Sequence, residues 1–182
     1  MNKEVDTSEF KSFFKSVQGN EGDKCRYNTR LDTYGCGCQH NCSYCYARSL
    51  LHFRGFWNAD QPKAADIRRI ARQVNQLSPG TIIRLGGMTD CFQPCEPEQR
   101  VTYHTILEMN RRRVGYLIVT KSALIAEPED LEILDRSLAH IQITVTCLDD
   151  KKTLTYEKAS PPSQRVLAIQ KLQESGFDVS MR

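Results

Sequence analysis

The chain has 182 residues, 40% of them hydrophobic, enough for one globular domain with its own core. Its net charge of +3, carried by scattered basic residues, gives no overall field that would single out a nucleic-acid binder. The polar start Met1-Asn2-Lys3-Glu4-Val5-Asp6 has no secretory apolar core, and no run approaches the roughly 20 apolar residues of a membrane span. Of the eight cysteines, Cys36, Cys38, Cys42 and Cys45 crowd into ten positions. That crowding reads as metal binding in a reducing cytoplasm rather than a secreted disulfide framework.

In chain order, residues 1–26 read as a polar N-terminal extension. Phe10, Phe13 and Phe14 there suggest a short amphipathic helix, and residues 19–23 a flexible loop. Residues 27–182 read as one α/β domain. A short strand over residues 30–34 leads into the cysteine loop, and a helix over 43–52 leaves it. Ile67, Ile70, Ala71, Val74 and Leu77 recur at helical period within 64–77, with Asp60 or Asp66 placed to favour the first turn. Ser78-Pro79-Gly80 stops that helix, and residues 81–85 form a β-branched strand ending at Gly86-Gly87. A helix over 97–112 and a strand over 116–120 follow. The triplet Arg111-Arg112-Arg113 reads as a helix end, where cations are favoured, with a phosphate-contacting patch as the alternative. A helix over 127–138, a strand over 141–148, a helix over 161–175 capped by Gly176, and a strand over 177–181 complete the pattern.

Alternating strands and helices predict βαβ units on a parallel sheet whose strands are buried on both faces. The chain stops at Arg182 within a fifth strand, short of a closed barrel. A partial (β/α) barrel, truncated or open, is therefore expected. Ligands gather at the carboxyl ends of such strands, which points to residues 38–45, 86–94, 121–122 and 149–165.

Cys38, Cys42 and Cys45 form a C-x3-C-x2-C loop. Soft thiolates at this spacing select zinc or an iron–sulfur cluster. A closed zinc site takes four protein ligands, whereas three leave a position open for chemistry. Cys36 can supply the fourth. Spacing alone thus leaves two readings: a cluster enzyme, or a zinc-stabilised α/β domain that binds nucleic acid without catalysis.

With Tyr44 just before its last cysteine, the loop resembles the signature of the radical SAM superfamily. Thr89-Asp90-Cys91-Phe92-Gln93-Pro94-Cys95-Glu96 resembles the T-D-x-[YF]-Q-P-x-E segment of the spore photoproduct lyase-like (DNA repair photolyase-like) branch. Thr120-Lys121-Ser122 resembles its T-K-S. The run Tyr156 to Arg165 resembles its E-P-x-A-P-x-x-x-R, with Lys158 and Ser160 departing. These blocks stand in family order at the ends of successive predicted strands, a consistency that no zinc loop requires.

The resemblance implies that Cys38, Cys42 and Cys45 hold three irons of a 4Fe–4S cluster, while the fourth iron binds S-adenosylmethionine. Reduction by a donor such as flavodoxin or ferredoxin then yields a 5′-deoxyadenosyl radical, which abstracts hydrogen from a substrate that stays unknown. It implies Gly86, Gly87, Met88 and Asp90 near the methionine amino group, with Met88 in place of the usual acid. Lys121 and Ser122 fall to the carboxylate, Thr144 or Thr146 to the ribose, and Glu157 and Arg165 to the far side of the pocket. The hydrogen-donor cysteine of spore photoproduct lyase has no counterpart in residues 85–90, so thymine-dimer repair is not implied. A nucleic-acid substrate is suggested only by the branch resembled.

The catalytic residues are unassigned, with Cys91, Cys95, Tyr44 and Tyr46 as candidates. Each has a plainer reading as packing, since buried cysteine is usually a small apolar side chain. Cys25 and Cys147 read as structural and Cys36 as a spare thiol. His40 reads by default as an exposed loop histidine, and alternatively as a residue that tunes a cluster. His52, Phe53, Phe56 and Trp57 read as packing, or as a base-stacking group.

Overall fold

The computed structural model describes residues 15–16, 27 and 29–182. The helix expected around Phe10, Phe13 and Phe14, and Cys25, lie outside the described residues. The strands are β1 (Lys15–Ser16), β2 (Thr29–Leu31), β3 (Tyr34–Gly35), β4 (Lys63–Ala64), β5 (Ile82–Leu85), β6 (Gly115–Thr120), β7 (Ala139–Ile143) and β8 (Val179–Met181). One sheet runs in the order β1-β2-β5-β6-β7-β8. Its five strands from β2 onward are parallel, and β1 joins antiparallel at the edge. The short β3 and β4 pair antiparallel outside it. The helices are α1 (Tyr46–Phe53), α2 (Ile67–Val74), α3 (Glu96–Gln99), α4 (Val101–Arg112), α5 (Pro128–Ile133), α6 (Asp150–Leu154) and α7 (Pro162–Glu174), with a 3-10 turn at Ala123–Ala126. No described helix is long and apolar enough to cross a membrane.

One apolar layer holds the sheet to its helices. Ile83 and Leu85 of β5, Tyr116 and Ile118 of β6, and Ile141 and Ile143 of β7 pack with Ile70 and Val74 of α2, Ile106 and Met109 of α4, and Ala168 and Leu172 of α7. Burying each large side chain stabilises the fold by about 1.5–3 kcal/mol. The strands were expected to be buried on both faces. Strand β6 meets this, buried throughout except at Val119, whereas β5 alternates, with Ile83 and Leu85 fully buried and Ile82 and Arg84 only partly so. A partial barrel leaves its concave face open, and Arg84 and Val119 turn toward a cavity there.

Local chemistry set boundaries that periodicity did not show. Asp66, not Asp60, caps α2, accepting from the amides of Arg68 (2.9 Å) and Arg69 (3.4 Å). The helix expected over 97–112 breaks at Arg100, whose φ of 54° is left-handed. The Glu96 carboxylate then accepts from the amides of Thr102 (3.0 Å) and Tyr103 (2.8 Å), satisfying the exposed start of α4. The strand expected over 141–148 stops at Ile143, and Asp149 caps the unforeseen α6 through the Lys152 amide at 3.0 Å. Arg111 bonds Glu108 and Asn75, Arg112 the Asn75 carbonyl, and Arg113 Asp135, so the arginine triplet knits helix ends together.

Asp130 in α5 is buried, and burial pushes its carboxyl up to about 6 although Arg100 lies 3.3 Å away. Its folded value lies above the ordinary carboxyl value of 3.8, so the fold holds this proton more tightly than the unfolded chain does. That contribution is full below the unfolded value and is lost as pH rises through about 6. Urea denaturation from about pH 4 to 7 should show the wild type losing roughly 1–3 kcal/mol that Asp130→Asn does not lose. Parallel curves would contradict it.

Candidate functional site at the cysteine loop

Leaving β3, the chain turns at Cys36 (φ 55°) and passes Gly37, where a Cβ would stand 1.9 Å from the Asn58 carbonyl oxygen. Only glycine fits that approach. The Asn58 amide donates to the Cys36 carbonyl at 2.8 Å. Two tight turns then present the thiols: Asn41 N–H donates to Cys38 O (3.0 Å) and Cys45 N–H to Cys42 O (3.2 Å). On the opposite side, Ser43 N–H donates to Tyr156 O (2.8 Å) and Lys158 N–H to His40 O (2.6 Å). Helix α1 begins immediately after Cys45.

Side chains of the Thr89-to-Glu96 segment hold this loop in place. Thr89 donates to the Tyr34 carbonyl at 2.7 Å. Gln93 accepts from the Gln39 amide (2.9 Å) and donates to the Asp90 carbonyl (3.1 Å). Glu96 accepts the Tyr34 hydroxyl. Asp90 is the centre: Oδ1 accepts from the Phe92 amide (2.9 Å) and the Thr120 hydroxyl (2.8 Å), and Oδ2 from the Lys121 amide (2.8 Å). Oδ2 also lies 3.2 Å from His40 Nε2. Burial alone would raise this carboxyl, but His40 and the amide donors outweigh it and hold the pKa at about 2. The default of an exposed His40 is corrected: the ring is 3% exposed, lying against Asp90.

Beside this hub lies a cavity of about 370 Å³. Cys38, Cys42, Cys45, Tyr44 and Tyr46 line one part of it, Gly86, Gly87, Met88 and Asp90 another, and Lys121, Thr144 and Thr146 a third. Gly86 has φ 74°, and a Cβ there would meet the Thr89 carbonyl oxygen at 2.7 Å. Tyr46 O–H donates to the Gly87 carbonyl at 2.8 Å. The Lys121 ammonium stands 5.7 Å from the Tyr44 ring centre. Burial first, then the Asp90 charge, pushes the Cys38 thiol up to about 12. Burial also raises Cys42, with Lys121 offsetting part of the effect. A bound metal's positive charge would favour the thiolate form of both.

Among the described residues, no three His, Cys, Asp or Glu side chains converge as a single metal ion requires. A zinc ion would gather its sulfurs at about 2.3 Å.

The remaining expected site residues lie behind the wall. Ser122 is buried and its hydroxyl accepts from the Leu124 amide at 3.3 Å, capping the 3-10 turn. Arg165, fully buried, donates to the carbonyls of Ser160 (2.6 Å) and Thr144 (2.9 Å) and pairs with Glu157. Glu157 also accepts the Tyr44 hydroxyl and lies 3.9 Å from the Cys42 sulfur. Cys91 and Cys95 sit in the hydrophobic core and do not line the cavity. Trp57 packs with Cys38 and Ala47, while Phe53 is 91% exposed. Sequence reasoning missed Asp32, which accepts from the amides of Gly87 (2.6 Å) and Met88 (2.9 Å). It also missed Arg84 and Arg182 at the cavity. Arg84 did leave a signal, a lone cation in Ile82-Ile83-Arg84-Leu85.

Comparison with known proteins places these features in a family. The profile of the radical SAM superfamily matches residues 33–182. An uncharacterised protein of Methanocaldococcus jannaschii is 27% identical over 147 residues, 78% of this chain and 54% of its own length. A spore photoproduct lyase variant with bound AdoMet and dinucleoside spore photoproduct superposes with a TM-score of 0.66 at 15% identity, covering 93% of this chain and 47% of that one. The protein anSMEcpe with bound AdoMet superposes at 0.54 and 12% identity, over 82% of this chain and 40% of that one. The chain thus spans about half the length of the relatives it matches.

Replacing Asp90 by Asn sets an amide NH2 against groups that donate. Asp90→Asn should lower unfolding free energy by about 2–4 kcal/mol, measured by chemical denaturation. A loss below about 0.5 kcal/mol would contradict the hub.

Proposed function

This chain belongs to the radical SAM superfamily, and on that footing we propose that it is a radical S-adenosylmethionine enzyme with a 4Fe–4S cluster held by Cys38, Cys42 and Cys45. The observation that carries the reading is the sharing of one cavity by these thiols, the Gly86-to-Met88 turn, Lys121 and the two threonines. When bound, the cluster and cofactor supply one-electron reduction and cleavage of the sulfonium carbon–sulfur bond.

The chain's own residues bind and orient. Lys121 offers its ammonium to the methionine carboxylate. The amino group has no acid at Met88, and Asp90 already accepts from three donors beside His40. Main-chain carbonyls of the Gly86-to-Met88 turn are its acceptors, with Tyr46 holding Gly87 in place. Thr144 or Thr146, which line the cavity, would hydrogen-bond the ribose. Ser122, Glu157 and Arg165 act from behind as positioning residues, fixing Lys121 and Tyr44. A small redox protein of the flavodoxin or ferredoxin type supplies the electron. The neighbour with a bound dinucleoside lesion makes nucleic acid the first substrate class to assay. Thymine-dimer repair is not proposed, because Cys91 and Cys95 lie in the core.

Anaerobic reconstitution with iron and sulfide tests this. The wild type should take up about four irons per chain, turn brown, and release 5′-deoxyadenosine from S-adenosylmethionine under reductant. Cys42→Ala should lose the cluster, whereas Cys36→Ala should keep it. One zinc per chain with no iron, and a Cys36→Ala variant that loses metal, would overturn the reading in favour of a zinc domain.

A further inference from the structure

Strand β5 is third of six in its sheet, and a cation at its centre needs a reason. Ile83 and Leu85 face the helices, so Arg84 faces the concave side and lines the cavity. Its Cα partner on β2 is Arg30, which sets two guanidinium groups on adjacent strands, a pairing that repels. Arg30 has the charge of Asp32 at 3.9 Å, although its Nε makes no hydrogen bond either. Arg84 has no ion pair among the described residues, and its Nε is buried without a hydrogen-bond partner. Asp90, the carboxylate on the cavity wall, is occupied by Phe92, Thr120, Lys121 and His40. Arg182 lines the same cavity.

The charge pattern does not suit S-adenosylmethionine alone. That cofactor carries two positive groups and one carboxylate, and Lys121 answers the carboxylate. The thiolate-held cluster brings negative charge of its own, yet Arg84 and Arg182 are still two cations beyond the one that the carboxylate takes. A guanidinium that lines a cavity with no ion pair and an unpartnered Nε suits an oxyanion, and unsatisfied local chemistry of this kind gathers at functional sites.

We propose that Arg84, supported by Arg182, binds a phosphate group of the substrate inside the cysteine-lined cavity. The inference rests on the radical S-adenosylmethionine reading for the cofactor's place in that cavity. It adds an anionic, phosphate-bearing substrate and a specificity-determining residue. The phosphate can belong to a mononucleotide-sized molecule or to a nucleic-acid strand.

The test uses the full chain, reconstituted anaerobically, with calorimetric titration of inorganic phosphate, thymidine monophosphate, a short single-stranded oligonucleotide, succinate and S-adenosylmethionine. Arg84→Gln should weaken every phosphate-bearing probe about tenfold or more, and Arg84→Lys should restore part of it. Lys121→Gln should instead weaken S-adenosylmethionine. Tighter binding of the oligonucleotide than of the mononucleotide, lost with Arg84, supports the subsite and identifies a strand as the source; the reverse order supports it with a small molecule. The subsite is overturned if Arg84→Gln, with an unchanged thermal melt, leaves phosphate affinity intact. It is equally overturned if that variant affects only succinate or only S-adenosylmethionine. Failure of the wild type to form a cluster or bind S-adenosylmethionine overturns the enzyme reading, and Arg84-dependent phosphate binding is scored separately from it.

Discussion

Asp90 is a carboxylate taken out of water, with hydrogen-bond donors from two parts of the chain and the His40 ring at 3.2 Å from a third. An ionised carboxylate in such a place costs several kcal/mol unless its acceptor sites are filled. The Phe92 amide comes from its own turn, the Thr120 hydroxyl and Lys121 amide from the end of β6, and His40 from the middle of the cysteine loop. The carboxylate is stable only when those three segments stand together. The same requirement fixes the thiols relative to the carboxyl ends of β5 and β6. Lys121 reaches the cavity because its own amide is fastened there.

A second clamp closes the loop from the other flank. Arg165 is among the largest fully buried side chains of the described residues, and each of its three nitrogens donates, to Ser160, Thr144 and Glu157. Glu157 carries that order forward to Tyr44 and the Cys42 sulfur. Main-chain bonds from Tyr156 and Lys158 complete it. Lys158 stands where the resembled pattern has proline, and a proline could not donate the bond that His40 O accepts. Ser160, the other departure, accepts the Ala123 amide at 2.9 Å. Both departures therefore fasten the site rather than loosen it.

How much of this could be read in the residues depended on whether the signal was local. The parallel sheet was legible because Leu117-Ile118-Val119 and Ile82-Ile83 are apolar runs between helical periods. The cysteine loop was legible because its three thiols lie within eight residues. The break at Arg100 was not, because it arises from Glu96 capping a helix that periodicity runs straight through. Asp32 was missed since its partners, Gly87 and Met88, are 55 and 56 residues away. Thr89, Asp90, Gln93 and Glu96 were recognisable as a pattern, but that Thr89 and Glu96 both hold Tyr34 while Asp90 and Gln93 reach His40 and Gln39 needed three dimensions. Of the residues expected at the cofactor, Ser122, Glu157 and Arg165 stand one layer back, a distinction that sequence order does not carry.

The central claim is that three thiolates leave one iron open, and that S-adenosylmethionine fills that position. Electron paramagnetic resonance of the dithionite-reduced, reconstituted chain tests it most directly. The account predicts a signal from a reduced 4Fe–4S cluster whose g values shift when S-adenosylmethionine is added. A cluster signal that the cofactor leaves unchanged, or no iron signal at all, would contradict it.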